Sequence, residues 1–246
     1  MRMQKQLKIA VCDDNAADRA QIILFLSQYL DEENLCAHID EYTSGEGFLA
    51  GATAQYALVF LDIFMDGING METAKKLIQE NSQVQIIFNS TSGEFAAESY
   101  EVAALYYLVK PLEKEKLWPV LDKFFQCWYA VRMLTVKTGR TEEDVYLSDI
   151  LFAEAHGKKS ILHTKRGDLE ASASLSELQA MLPPSEFVRP IRYALVSVRE
   201  IVKIPSHMLI LSNGAEIPVS RSQRDAMKKA FADYQWRKLR AGGGGV

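Results

Sequence analysis

Hydrophobic and polar positions follow two rhythms in this chain. In the first half, segments of strand length recur at 7–11, 37–42, 57–61, 84–88 and 105–109. The third is an unbroken apolar run, the pattern of a strand buried on both faces. Amphipathic stretches lie between them. The first places Ile22, Phe25, Leu26 and Tyr29 at helical spacing behind Asn15, a residue suited to capping a helix. A short helix is predicted behind Ser44, and others over about 70–80, 95–103 and 113–129. Five strands alternating with five helices predict an α/β doubly wound parallel sheet with helices on both faces.

From Leu134 the period shortens. Stretches such as LTVKTG, EDVYLSDILFAEAHG, KSILHTKRGDLEAS and HMLILSNG alternate as strands do, with glycine turns at Gly139, Gly157, Gly167 and Gly214. A helix over 174–182 ends at Pro183-Pro184, and a last one is predicted from Ser222 to Tyr234. This half reads as a mostly β antiparallel domain. The expected domains are therefore 6–130 and 134–240, joined without a Gly/Pro-rich linker.

Composition changes the picture in one respect. The chain of 246 residues has a net charge of −4, but residues 1–130 hold 10 Lys+Arg against 19 Asp+Glu, and residues 131–246 hold 18 against 13. Only the second half suits a polyanion such as DNA. The three cysteines, Cys12, Cys36 and Cys127, form no CxxC pair. With no secretory signal and no apolar run of membrane-spanning length, they predict a cytoplasmic protein that does not enter a membrane.

The candidate chemistry lies where the predicted strands end. Strand one ends at Asp13-Asp14, strand three at Asp62, strand four at Ser90 and strand five at Lys110. In a parallel sheet these ends share one rim. Three clustered carboxylates repel unless a cation joins them, and oxygen ligands suit Mg²⁺. A lysine and a hydroxyl beside them suit a phosphoryl group carried on Asp62. Singly, each residue has a plainer explanation: Asp13 or Asp14 as a helix cap, Lys110 as a solvated charge, Tyr107 as core. Their joint placement at the strand ends sets these aside.

This pattern resembles the CheY-like receiver domain of two-component response regulators. The resemblance implies that Asp62 is phosphorylated by a sensor histidine kinase, so that the chain is not itself an enzyme. Asp13, Asp14, Asp62 and the carbonyl of Phe64 would hold Mg²⁺. Ser90 and Tyr107 would form the switch pair, and the Lys110–Pro111 bond is often cis in the family. Ser90 is preferred to Thr91 because it stands 20 residues before Lys110. Asp66 replaces a proline common in the family.

The second half resembles the LytTR-type DNA-binding domain, through VYLSDILFAEAHGKKSIL, SLSELQAMLPPSEFVRPIRYALVSVREI and GAEIPVSR. That resemblance implies promoter DNA as partner, contacted by Lys158, Lys159 and Ser160, by Arg189 and Arg192, and by Ser220 and Arg221. Here Pro190, Ile191 and Ser197 depart from the family's usual residues, which bears on sequence preference. The two resemblances together imply a homodimer on phosphorylation. Two alternatives remain: a phospho-switched module that docks on protein without DNA, and an aspartyl-nucleophile phosphatase. The phosphatase needs a second acid two residues after the first, where Phe64 stands.

Overall fold

The computed structural model describes residues 7–33, 35–51 and 53–242. Residues 1–6, on which the lack of a secretory signal and the start of the first domain were read, lie outside the described residues. The chain divides into two compact units within one helix, between Phe124 and Phe125.

The first unit is built from β1 (Leu7–Cys12), α1 (Ala16–Glu32), β2 (Ala37–Tyr42), α2 (Gly45–Leu49), β3 (Leu58–Leu61), α3 (Gly70–Glu80), β4 (Gln85–Ser90) and β5 (Tyr106–Val109), and leads into α4 (Lys114–Val131). Its strands form one parallel sheet in the order β2-β1-β3-β4-β5. The order steps outward from β1 in both directions, so the sheet is doubly wound. All four residues of β3 are buried, as its apolar run requires.

Successive side chains alternate between the two faces. Ala10, Cys12, Val59, Leu61, Ile86 and Phe88 share one hydrophobic cluster with Phe48, Met71, Ala74 and Leu77 of α2 and α3. The helices start where their caps lie: the side chains of Asn15, Ser44 and Asn69 each accept a backbone N–H of the first turn.

One expected helix is absent. Residues 95–103 form no α-helix; two short 3-10 turns, Glu94–Ala96 and Glu98–Val102, stand there, ended by Ala103 in the left-handed region. The segment is rich in Ala and Glu, good helix formers. However, only Ser99 and Val102 within these turns are buried. A helix this short is held by the face it packs, and this one has almost none.

The second unit holds β6 (Met133–Thr138) paired with β7 (Thr141–Tyr146). A five-stranded antiparallel sheet follows, from β8 (Ile150–His156), β9 (Lys159–Thr164), β10 (Gly167–Ala171), β11 (Phe187–Ile191) and β12 (Ala194–Ser197), in the order β10-β9-β8-β12-β11. A smaller sheet joins β13 (Ile201–Lys203), β14 (Met208–Leu211) and β15 (Glu216–Pro218). Helices α5 (Leu175–Met181) and α6 (Arg224–Gly242) complete it.

The four turn glycines all have positive φ, the conformation for which glycine is suited. Strand β11, around FVRPI, was not foreseen as a strand. It is an edge strand whose register shifts between Val188 and Ile191, which is where a proline, lacking an N–H, is tolerated. Helix α6 runs eight residues beyond its expected end at Tyr234.

Candidate functional site

The C-terminal ends of β1, β3, β4 and β5 bring the expected residues of the first unit to one rim. Ligand oxygens of Asp13, Asp14 and Asp62 lie within 4.8 Å of one another. Asp13 and Asp62 are buried, whereas Asp14 is exposed. Two backbone hydrogen bonds set the first two strand ends: Asp62 donates to the Cys12 carbonyl at 2.9 Å, and Asp13 donates to the Tyr42 carbonyl at 3.1 Å. Burial raises the Asp13 pKa, and this outweighs the lowering by Lys110.

Lys110 reaches the rim from the end of β5, beside a cis bond to Pro111. Its Nζ lies 2.8 Å from Asp62 Oδ2, 2.9 Å from Asp13 Oδ2 and 2.8 Å from Asp18 Oδ2. Burial by itself lowers its pKa, but its contacts with Asp18, Asp62 and Asp13 win and hold the ammonium above the ordinary lysine value. Asp18 is the member of this set that sequence reasoning missed. The available signal was its place in the first turn of α1, four residues after Asp14.

Ser90 ends β4, fully buried, and its Oγ makes no hydrogen bond of good geometry among the described residues, although it lies near enough to the Tyr107 hydroxyl to act on it. Thr91 next to it is exposed. A buried hydroxyl without a well-made hydrogen bond carries a desolvation cost, so its presence at the rim marks a place for an acceptor. Tyr107 donates its hydroxyl to the Ser92 carbonyl and stacks obliquely on Phe88. Burial raises the phenol pKa, with the neighbouring Ser90 acting against that rise. The ring of Phe64 is 46% exposed and meets Phe95 edge to face at 5.6 Å, forming an open aromatic lip beside Asp62.

These residues fit a divalent cation. The donors are all carboxylate oxygens, as Mg²⁺ prefers, and Asp13 Oδ2 touches Lys110 without making a hydrogen bond of good geometry.

In the second unit, the β8–β9 turn and the β11–β12 turn lie at the same end of the five-stranded sheet, joined by the Ala155 N–H donating to the Tyr193 carbonyl at 2.9 Å. Lys158 and Lys159 are exposed on the first turn, where Lys159 donates to Glu170, and Arg192 and Tyr193 are exposed on the second. The Ser220 N–H donates to the Pro190 carbonyl at 3.0 Å, which brings the PVSR segment beside β11. Arg189, Arg192, Tyr193 and Ser220 help line an open cleft of about 900 Å³. Arg221 is exposed next to it.

Two expected contact residues are placed otherwise. Ser160 is fully buried, and its hydroxyl donates to the Ala173 carbonyl at 2.9 Å. The alternation of β9 turns it inward, so it does not offer a surface contact. Arg189 spends its donors within the domain, on Ser176 at 3.3 Å, Gln179 at 3.0 Å and the Arg192 carbonyl. It does not pair with nearby Glu186, which Arg199 takes at 2.8 Å.

Comparison with known proteins assigns both units. The family described as response regulator receiver domain matches residues 9–122, and the LytTr DNA-binding domain matches residues 143–232. The chain is a response regulator with a LytTR output domain. Among curated relatives, the sensory transduction protein LytT of Bacillus subtilis is 26% identical over 240 residues, covering 91% of this chain and 98% of LytT. The transcriptional regulatory protein YpdB of Escherichia coli K12 is 28% identical over 185 residues, covering 67% of this chain and 76% of YpdB. The rim of Asp13, Asp14, Asp62, Ser90 and Lys110 therefore belongs to the receiver domain. The two turns and the PVSR segment belong to the LytTR domain. Among the described residues no helix is long and apolar enough to cross a membrane.

Proposed function

We propose that this response regulator accepts a phosphoryl group on Asp62 from a sensor histidine kinase and carries that signal to promoter DNA in the cytoplasm. The observation that carries the reading is the grouping at one rim. Three carboxylates lie within 4.8 Å, Lys110 sits 2.8 Å from Asp62, and the Ser90 hydroxyl is buried without a hydrogen bond of good geometry.

Asp13, Asp14, Asp62 and the Phe64 carbonyl are the residues that would hold Mg²⁺. When bound, the ion neutralises charge on the carboxylates and on the phosphoryl oxygens. An Asp62 carboxylate oxygen attacks phosphorus. The new P–O bond forms as the bond to the donor's leaving atom breaks, and the leaving group keeps the electron pair. Lys110 stays protonated and donates to a phosphoryl oxygen, and the Ser90 hydroxyl donates to another. Tyr107 then gives up the Ser92 carbonyl and turns inward with Ser90.

The receiver's outer surface carries exposed Tyr100, Tyr106 and Val109. Phosphorylation favours a homodimer through this face, and pairing two LytTR domains raises the effective concentration for a repeated site. Lys158, Lys159, Arg192, Ser220 and Arg221 contact the DNA. Arg189 supports Arg192 through its carbonyl.

The test is labelling of the full chain with radioactive acetyl phosphate in Mg²⁺. Asp62→Asn abolishes the label; a variant that labels at the wild-type rate refutes the acceptor. Small phosphate esters should remain uncleaved, since turnover of them would favour the phosphatase.

A further inference from the structure

We propose that Asp18 is a positioning residue of the phosphorylation site, which holds the Lys110 ammonium in the resting protein and competes with the incoming phosphoryl group for it. The inference rests on Asp62 being the acceptor.

An ammonium carries three N–H donors. Around Lys110, which is 9% exposed, three carboxylate oxygens already stand at 2.8–2.9 Å, from Asp62, Asp13 and Asp18. Asp13 Oδ2 makes no hydrogen bond of good geometry there, so an approaching phosphoryl oxygen meets an ammonium held chiefly by Asp62 and Asp18. Two of the three weaken of themselves. Asp62 loses its free carboxylate when it becomes an acyl phosphate, and Asp13 shares its charge with a bound cation. Asp18 has neither outlet. It is neither the acceptor nor one of the clustered cation ligands, so its 2.8 Å contact with Lys110 stays in place.

The geometry of α1 maintains that hold. Asn15 caps the helix by accepting the Ala17 N–H at 2.9 Å, and the N–H of Asp18 points to the same oxygen at 3.4 Å. Arg19 pins the preceding loop, donating to the Asp13 carbonyl at 2.7 Å. Asp18 is thus carried on a fixed turn directly against the lysine. A charge-assisted contact is about twice as strong as a neutral one. Asp18 therefore sets a threshold for activation: it lowers affinity for the phosphoryl group and slows its acceptance from an anionic donor.

The experiment uses the full chain and two readouts. One is affinity for trifluoroberyllate in Mg²⁺, titrated by fluorine NMR. The other is the rate of labelling by acetyl phosphate. Asp18→Asn should raise affinity about fivefold and speed labelling by a similar factor, because a neutral amide holds the ammonium more weakly. Asp18→Ala, which leaves no acceptor, should do at least as much. Asp66→Asn is the control for charge alone. Asp66 is an exposed acid at the same rim that meets the site through its backbone, its N–H donating to Asp14 Oδ2 at 3.3 Å. Asp66→Asn should change either readout by well under half of the Asp18 effect on a logarithmic scale.

Unchanged or weaker binding in both Asp18 variants overturns the inference, and so does an equal gain in Asp66→Asn. If instead the wild-type chain takes up neither probe, or Asp62→Asn labels normally, the acceptor reading fails first and the role of Asp18 falls with it.

Discussion

Gly70 tests whether the rim depends on a close backbone approach. It is the first residue of α3, and its N–H donates to the Ile63 carbonyl at 3.0 Å. By helix propensity alone, Gly70→Ala should stabilise the chain, by at most about 1 kcal/mol. The structure reverses the sign. A Cβ at this position would stand 2.1 Å from the Asp62 carbonyl oxygen and 2.8 Å from Ile63 Cα, both backbone atoms. Ordinary contact begins at 3.4 Å, so the two segments must part by about 1.3 Å. The β3 end is tied to β1 through Asp62 and Cys12 and cannot yield freely. Overpacking of this kind costs about 1–3 kcal/mol, which outweighs the propensity gain.

The net loss, about 1–2 kcal/mol, corresponds to a fall of roughly 4–8 °C in the receiver's melting temperature. Calorimetry of the full chain is the suitable assay, since two compact units can melt separately. The LytTR transition should stay in place. Labelling by acetyl phosphate should fall by about an order of magnitude or more, because the carboxylate of Asp62 moves with its backbone. Gly93→Ala is the control: a Cβ there meets nothing within 4 Å, and stability should change by no more than about 0.5 kcal/mol. A Gly70→Ala chain at least as stable as wild type, with normal labelling, would refute the close-approach argument.

In the LytTR domain, Arg221→Ala and Ser160→Ala should separate contact from support. Binding of a promoter fragment, followed against salt, should weaken in Arg221→Ala with its slope reduced by about 1, whereas Ser160→Ala should keep the slope. Ser160→Ala should instead destabilise the domain by about 1–3 kcal/mol, since it strips the buried Ala173 carbonyl of its donor. Cysteine labelling checks the burial of the rim. The Cys12 thiol is pushed up to about 12 by burial first and by the charge of Asp13 next, while Cys36 and Cys127 are exposed. At pH 8 only ~0.01% of Cys12 is thiolate, so iodoacetamide should modify two cysteines of the folded chain and three after denaturation. Three labels on the folded chain would contradict the burial of Cys12, whose Sγ lies 3.7 Å from Met65 Sδ.

The patterns readable along the chain were those set by near neighbours. Strand and helix periods, the caps Asn15 and Ser44, and the glycine turns depend on residues two to four apart, and they recur in the fold. The parallel order of the first sheet followed from the alternation of elements. That order by itself brings Asp13, Asp14, Asp62, Ser90 and Lys110 to one rim. What the linear pattern could not decide were matters of packing between distant segments. Asp18 meets Lys110 because the first turn of α1 and the end of β5 reach the same rim from segments 92 residues apart in the chain. Ser160 and Arg189 read as surface donors, yet a sheet face buries the one and neighbouring side chains engage the other. The segment around Phe95 had the composition of a helix but no face to bury. Local propensity proposes an element, and only the area it can bury against the rest of the protein decides whether it forms.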